Sequence, residues 1–372
     1  MDAIDASRGA AMLCVFFAHF TLHYFQADSA QLARAQLFTM VASPSFMLVS
    51  GMVSGFLYHT RGEGFKRFRV KLVDRGLFLL IVAHGLIGIS RMYITQTEGI
   101  SAAFRVLFIT DAIGFSIIVG PMIISRVRMI PRVLLGAGIL AGSWWMFLSF
   151  VPQSFAVRFA AETLWGVTGP QIFSYSFPFL PWLAVYLMGS GLGEQLSRYY
   201  QAGRQTEAVL FLFKVGVLGV MIATASKVTY WLLKWKGLVS PGEIAYQLTT
   251  PLQKLPPGPV YVLFYGGLGV MMVGSLFLME QKDAGRWLRR ELSVLGRTSL
   301  FLFVLQYFVY YTGFGFLRLP YSPWWPLYLA LSVILMWRLA HFWLSAGYNR
   351  FITVGYAHFR ESRHFEGVTT RS

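Results

Sequence analysis

PVYVLFYGGLGVMMVGSLFLM, residues 259–279, runs for twenty-one positions without a charged side chain. A helix needs about twenty apolar residues to cross the hydrocarbon core of a bilayer. A soluble sheet would break such a run into strands of about five or six. The same pattern recurs outward from it in both directions. Apolar blocks fall at 9–25, 37–58, 74–94, 102–124, 133–150, 177–193, 208–230, 259–279, 298–316 and 324–344. Of the 372 residues, 56% are hydrophobic and only 13% charged, about half the roughly 25% charged residues of a soluble domain. Too few charges remain to cover a water-facing surface. The fold class is therefore all-α: a polytopic integral membrane protein of about ten transmembrane helices.

The basic residues predict its orientation. With the N-terminus inside, the inner segments carry twenty of the 32 Lys and Arg, and the outer segments six. That bias predicts N- and C-termini on the cytoplasmic side of a cytoplasmic membrane. It also accounts for the net charge of +16 without a nucleic-acid partner. Residues 1–344 read as one transmembrane domain and 345–372 as a basic cytoplasmic tail. Ala33-Arg34-Ala35 has the look of a leader cleavage site, but Asp2, Asp5, His19 and His23 are foreign to a leader, so the first block reads as a retained helix. Cys14 is the sole cysteine, which excludes an intrachain disulfide and a multi-cysteine metal site. The outer connections 151–176 and 231–258 are long and rich in proline and aromatics. They read either as a lid over a site or as interfacial anchors.

The first block is the most informative chemically. Ile4-Asp5-Ala6-Ser7-Arg8-Gly9 leads into the apolar run that contains His19. Eleven residues of helix rotate about 1100°, close to three full turns, and rise about 16 Å. Arg8 and His19 therefore share a face, with Arg8 at the inner interface and His19 near mid-membrane. An ionisable side chain at that depth points to function; the alternative is a neutral imidazole bonded to a neighbouring helix. Asp5 stands three residues before Arg8 and is placed to orient it. His23, four residues after His19, could complete a chelating pair, but no third ligand follows in sequence and no metal is expected.

Asp5-x-x-Arg8-Gly9 with ten residues between Arg8 and His19 resembles the first-helix signature of the membrane acyltransferase 3 superfamily, which includes the heparan-α-glucosaminide N-acetyltransferase-like proteins and the glucan succinyltransferases. Pro44-x-Phe46-x-x-x-Ser50-Gly51 is similar to a second-helix stretch of that group. Pro178-Phe179-Leu180-Pro181-Trp182 with Gly189-x-Gly191-x-Gly193 resembles its middle helix, and Leu295-Gly296-Arg297-Thr298-Ser299-Leu300 the opening of its late helix. The motifs occur in the expected order over residues 4–306. Two departures stand out. The usual Arg-x-x-Arg of the third helix appears as Lys66-x-x-Arg69 within the run Arg67, Arg69, Lys71, Arg75, and a late-helix His appears as Gln306.

The resemblance implies transfer of an acyl group from cytoplasmic acyl-CoA to a hydroxyl or amine of an extracytoplasmic glycan, with no cofactor beyond the acyl-CoA donor substrate. His19 would be the general base, and Arg8 would sit near the pantetheine or pyrophosphate. Lys66, Arg67, Arg69, Lys71 and Arg75 would meet the phosphates of CoA, although positive-inside charge explains part of that cluster. Ser50 and Ser299 would bond the carbonyl or the acceptor, unless they are small polar packing residues. No motif places the acidic partner of His19; Asp111, inside the fourth block, is the candidate on burial, with a pair to Arg105 or Arg75 as the alternative. A transporter or flippase using Arg8, His19 and Asp111 as a substrate path is the competing function. The acyl group, the acceptor and the oligomeric state are not encoded in any motif.

Overall fold

The computed structural model describes residues 2–25, 30–92, 104–238, 243–313, 317 and 322–357. It is a helical bundle. In chain order its main helices are α1 (Asp2–Tyr24), α2 (Ala30–Thr39), α3 (Ala42–Arg61), α4 (Phe65–Phe78), α5 (His84–Met92), α6 (Ile109–Ile124), α7 (Met129–Ser149) and α8 (Phe155–Leu164). They continue as α9 (Phe179–Gln201), α10 (Gln205–Trp235), α11 (Glu243–Thr249), α12 (Pro259–Gln281), α13 (Arg286–Arg297), α14 (Ser299–Tyr307) and α15 (Trp325–Ser345). A two-residue parallel pairing of Val106–Leu107 with Tyr175–Ser176 is the only sheet among the described residues.

Each of the ten predicted blocks has a helical counterpart, but the number of long apolar helices is smaller than ten. Among the described residues six are long and apolar enough to cross a bilayer, or seven when α13 and the helix after it, bent by 70°, form one broken span. The difference has local causes. Residues 30–90 run as one nearly continuous helical stretch covering two blocks. The fourth block begins late, because α6 starts only at Ile109, and its first residues up to 103 lie outside the described ones. Helix α9 dilutes its apolar surface with Tyr186, Gly189, Ser190, Gly191 and Gly193. The molecule is a multi-pass membrane protein on this composition and length.

Helix crossings at glycine hold the bundle together, among them α3 with α9 and α1 with α13. Gly51 and Gly55 on α3 face Gly189 and Gly193 on α9. A β-carbon at Gly55 would lie 1.9 Å from the Ser190 carbonyl oxygen, and one at Gly193 1.9 Å from that of Met52. The spacing of four on both helices lets the backbones touch, as small residues do in membrane helix pairs. Helix α1 crosses α13 in the same way: a β-carbon at Gly9 would meet the Leu292 oxygen at 1.9 Å, and one at Gly296 the Asp5 oxygen at 1.8 Å. All of these except Gly55 are glycines of the sequence motifs quoted above.

Several polar groups inside the bundle pair across helices. Tyr186 and Ser54 share a hydroxyl hydrogen bond of 2.6 Å between α9 and α3. The fully buried Arg132 donates to Glu194 Oε2 at 2.7 Å and to the Val127 carbonyl at 3.1 Å, while Arg198 donates to the other oxygen of Glu194 at 2.8 Å. Near the end of the described chain, Asp74 of α4 gathers residues 353–357. Its Oδ1 accepts from the backbone N–H of Val354 (2.9 Å) and Tyr356 (3.3 Å), and its Oδ2 from Ala357 N–H (3.3 Å) and the Thr353 hydroxyl.

The α3–α9 crossing should tolerate nothing larger than glycine. Gly55→Val is expected to lower thermal stability in detergent by at least the 1–3 kcal/mol typical of overpacking, because the obstacle is backbone. Gly138→Ala, where a β-carbon meets open space, should unfold within a degree or two of wild type.

Candidate active site

Two chambers lie end to end inside the bundle. The first, about 100 Å³, has Arg8, Ser50, Ser54, Arg75, Thr110 and Ser299 as its polar lining. They come from α1, α3, α4, α6 and α14. On α4, Phe68, Leu72 and Arg75 present one face to it, the spacing of neighbours on a helix. Four of the residues singled out in the sequence, Arg8, Ser50, Arg75 and Ser299, thus converge here. Arg8 also pairs with Asp5, which in turn lies 3.4 Å from Arg297. Ser54 and Thr110 were not foreseen, although Ser54 follows Ser50 by one helical turn.

The second chamber is larger, about 480 Å³. His19 lines it with Tyr175, Tyr307, Tyr311, Gln36, Ser43 and Lys254. The imidazole of His19 is held edge-on to Tyr307 at 4.9 Å and tilted against Tyr311 at 5.6 Å; His23 lies 3.8 Å from Tyr311. Both long connections contribute walls: 151–176 through Ser174 and Tyr175, and 231–258 through Lys254 and Leu255. The first of these is an ordered structure. Glu162 accepts the backbone N–H groups of Ile172 (2.8 Å) and Phe173 (3.0 Å), fixing the turn that delivers Tyr175. Lys254 rests 5.3 Å from the Phe177 ring, and burial pulls its pKa down from 10.5 to about 8.

The chambers are stacked along the helices. On α1 Arg8 lines the first and His19 the second. On α3 the order is Ser50 and Ser43, and on α14 and its extension it is Ser299, then Tyr307 and Tyr311. Phe46 and Phe303 belong to both walls.

Other predicted residues go elsewhere. Asp111 pairs with neither Arg105 nor Arg75 among the described residues. Its Oδ2 lies 2.9 Å from Nδ1 of His84 on α5 and accepts the Phe108 N–H at 2.7 Å. Asp111 is the third residue of α6 and folds back on the start of that helix, which turns its carboxylate towards α5. His84 was missed in the sequence, although it carries the signal that picked out His19: an ionisable residue within an apolar block. It directly follows a π-helical turn, Leu79–Ala83; Tyr311 lies in another, Phe308–Gly313. Such turns recur at functional sites. Gln306 is fully buried, lines neither chamber, and its amide makes no hydrogen bond among the described residues. Lys66, Arg67 and Lys71 are exposed on α4, and Arg69 donates to Ser125 Oγ at 3.2 Å. None of these four lines the first chamber. Among the described residues, no group of three His, Cys, Asp or Glu side chains is placed to hold a metal ion.

Lys254 gives the second chamber a pH signature. Its folded-state pKa is below that of a free lysine, so the unfolded chain binds more protons between about pH 8 and 10.5. Stability from this group should rise with pH across that window. Thermal unfolding at a series of pH values should show the rise in wild type and a flatter profile in Lys254→Met.

The arrangement therefore joins a compact cationic chamber to a histidine- and tyrosine-lined one through a bundle in which motif glycines make backbone contacts between helices. No curated protein matches the chain. A family profile described as "Heparan-alpha-glucosaminide N-acetyltransferase, catalytic" matches residues 1–230. That match includes Arg8, Ser50, Arg75 and His19, and it implies a membrane acyltransferase. The chain belongs to the heparan-alpha-glucosaminide N-acetyltransferase catalytic family.

Proposed function

We propose that this membrane acyltransferase moves an acyl group from cytoplasmic acyl-CoA to a hydroxyl or amine of a glycan on the far side of a cytoplasmic membrane, with His19 as general base. The observation that carries the reading is the stacking of an Arg8–Arg75 chamber on the His19 chamber along shared helices. A thioester donor and a polar acceptor can then approach one plane from opposite ends. Guanidinium groups suit phosphate oxygens, so Arg8 and Arg75 hold the phosphopantetheine end, while Lys66, Arg67, Arg69 and Lys71 on α4 attract the nucleotide phosphates. Ser50 and Ser299 donate to the thioester carbonyl or the pantetheine amides. The tyrosine rings and hydroxyls of the second chamber fit the mixed apolar and polar surface of a sugar.

In the transfer step the acceptor oxygen or nitrogen bonds to the carbonyl carbon, and the C–S bond breaks. The acceptor proton passes to His19, and from there to the departing CoA sulfur. Imidazole has an unperturbed pKa of about 6.5, suited to both transfers. Asp111 acts through His84: the pair braces Phe108, whose ring lies 5.8 Å from that of Tyr307 beside His19. It is a positioning pair. Stacked chambers also fit a transporter. Vesicles given acyl-labelled acetyl-CoA separate the two readings, because the enzyme releases CoA and leaves the label on an acceptor, whereas a transporter moves the intact molecule.

Replacing His19 with Ala should reduce acyl transfer by about 10²–10⁴-fold, with expression and donor binding close to wild type. His23→Ala, one turn further on, should lose much less. A stable His19 variant with near wild-type transfer would overturn the mechanism.

The α4 cations give an independent test on the donor. Charge-assisted contacts contribute about 1.5–3 kcal/mol each. The Arg67→Ala, Arg69→Ala, Lys71→Ala triple variant should therefore bind acyl-CoA well over tenfold more weakly in equilibrium titration, while its thermal midpoint falls by no more than loss of the Arg69–Ser125 hydrogen bond accounts for. Unchanged affinity would assign the cluster to membrane orientation alone.

A further inference from the structure

The two chambers are divided by a pair of rings. Phe46 and Phe303 are 5% and 4% exposed, and their ring centroids are 6.0 Å apart at an interplanar angle of 84°. Each lines both chambers. On α3, Phe46 falls between Ser43 on one side and Ser50 on the other. On α14, Phe303 falls between Ser299 and Tyr307. Two stripes of polar side chains, one on each helix, are interrupted by phenyl groups at a single level.

The two rings differ in their backbones. Helix α3 is fixed against α9 by the contacts of Gly51 and Gly55, about one and a half and two and a half turns from Phe46. Helix α14 is nine residues long, follows a 70° bend at its start, and runs into the π-helical turn Phe308–Gly313. A short helix between two irregular joints can shift where one pinned by backbone contact cannot, so Phe303 is the movable half of the pair. An apolar constriction excludes water while it is narrow, and a small acyl group crosses it at less cost than a charged or hydrated one.

We propose that Phe46 and Phe303 form the acyl passage: a two-ring constriction that separates the chambers, sets the longest acyl group able to reach His19, and keeps water in the His19 chamber away from the thioester. The size-setting role rests on the acyl-transfer reading; the separation of the chambers does not.

Two measurements test it separately. The first needs no activity. Ser50→Cys is placed in a Cys14→Ser background, and sealed vesicles are exposed to a charged, membrane-impermeant thiosulfonate confined to the face that bears Tyr175. With both rings present, mass spectrometry should find this cysteine unmodified. With Phe303→Ala or Phe46→Ala it should react at least tenfold faster. Phe303→Leu and Phe46→Leu, which keep an apolar side chain and a folded, monodisperse protein, should fall between. A cysteine that reacts in the parent, or stays protected in folded variants, overturns the passage.

The second measurement follows CoA thiol release from acetyl-, butanoyl- and hexanoyl-CoA in the absence of acceptor. Here the oxygen of water bonds to the carbonyl carbon as the C–S bond breaks, giving a carboxylic acid and free CoA. Wild type should hydrolyse all three slowly, and the longer chains most slowly. Phe303→Ala should raise the rate and bring hexanoyl-CoA to within a fewfold of acetyl-CoA. An unchanged length profile in a variant whose cysteine has become accessible overturns the size-setting role. Accessible cysteine with no cleavage of any acyl-CoA by any variant, here or with acceptor present in the vesicle assay, leaves the passage standing and removes the acyl-CoA reading instead.

Discussion

Backbone-to-backbone contact between helices is the constraint on which the remainder of this structure depends. Where Gly51 and Gly55 meet Gly189 and Gly193, and Gly9 meets Gly296, no side chain is available to yield. Lipid tails supply no hydrophobic drive for helices to associate, so close packing and internal hydrogen bonds must do so. A crossing of this kind fixes rotation and sliding together. Rotating α1 by one residue would turn both Arg8 and His19 off the chamber walls by about 100°. The α1–α13 contact thereby sets which side chains reach the cavities without touching either cavity.

The first-helix geometry was legible because it rests on periodicity. The eleven-residue separation of Arg8 and His19 says that they share a face, and both line chambers stacked along that face. The convergence of Ser50, Arg75 and Ser299 with Arg8 was likewise legible once the motifs were set in order. Periodicity does not say which helix stands opposite, and that is why the partner of Asp111 escaped. His84 and Asp111 are separated by residues 93–103 and meet only because α6 begins at Ile109 and its third residue folds back. Tyr175 and Lys254 were hidden for another reason. They lie in long connections, where aromatic and basic residues are common at membrane interfaces whether or not they line a site. Lys66, Arg67 and Lys71 show the reverse case: a basic run conspicuous in sequence turns its charges outward and gives the chamber only Arg75.

The polar interior obeys one rule away from the cavities. Inside a membrane protein each buried polar group must find its partner within the protein. Arg132, Glu194 and Arg198 form a connected set anchored on backbone carbonyls, and Tyr186 closes on Ser54 across the α3–α9 crossing. Ser54 also lines the first chamber, so the hydroxyl that joins two structural helices is part of the proposed donor wall. Gln306 breaks the rule, being fully buried with no partner for its amide, and so do the buried Ser45 and Ser116 hydroxyls and the Trp182 indole N–H among the described residues.

Asp74 and Arg75 are adjacent in the chain but face different tasks. One grips residues 353–357; the other lines the first chamber. Neighbouring side chains on a helix point about 100° apart and share one peptide unit, so strain applied to the first is felt by the second. Residues 353–357 thus form a strap tied by Asp74 to the helix that lines the first chamber. Tension on it, whether from a fused reporter or from a surface to which the end is attached, is transmitted through a single carboxylate to the arginine beside it. A shortened chain lacking residues 353–357 would leave the Asp74 carboxylate without those four donors, on the helix that also carries Arg75.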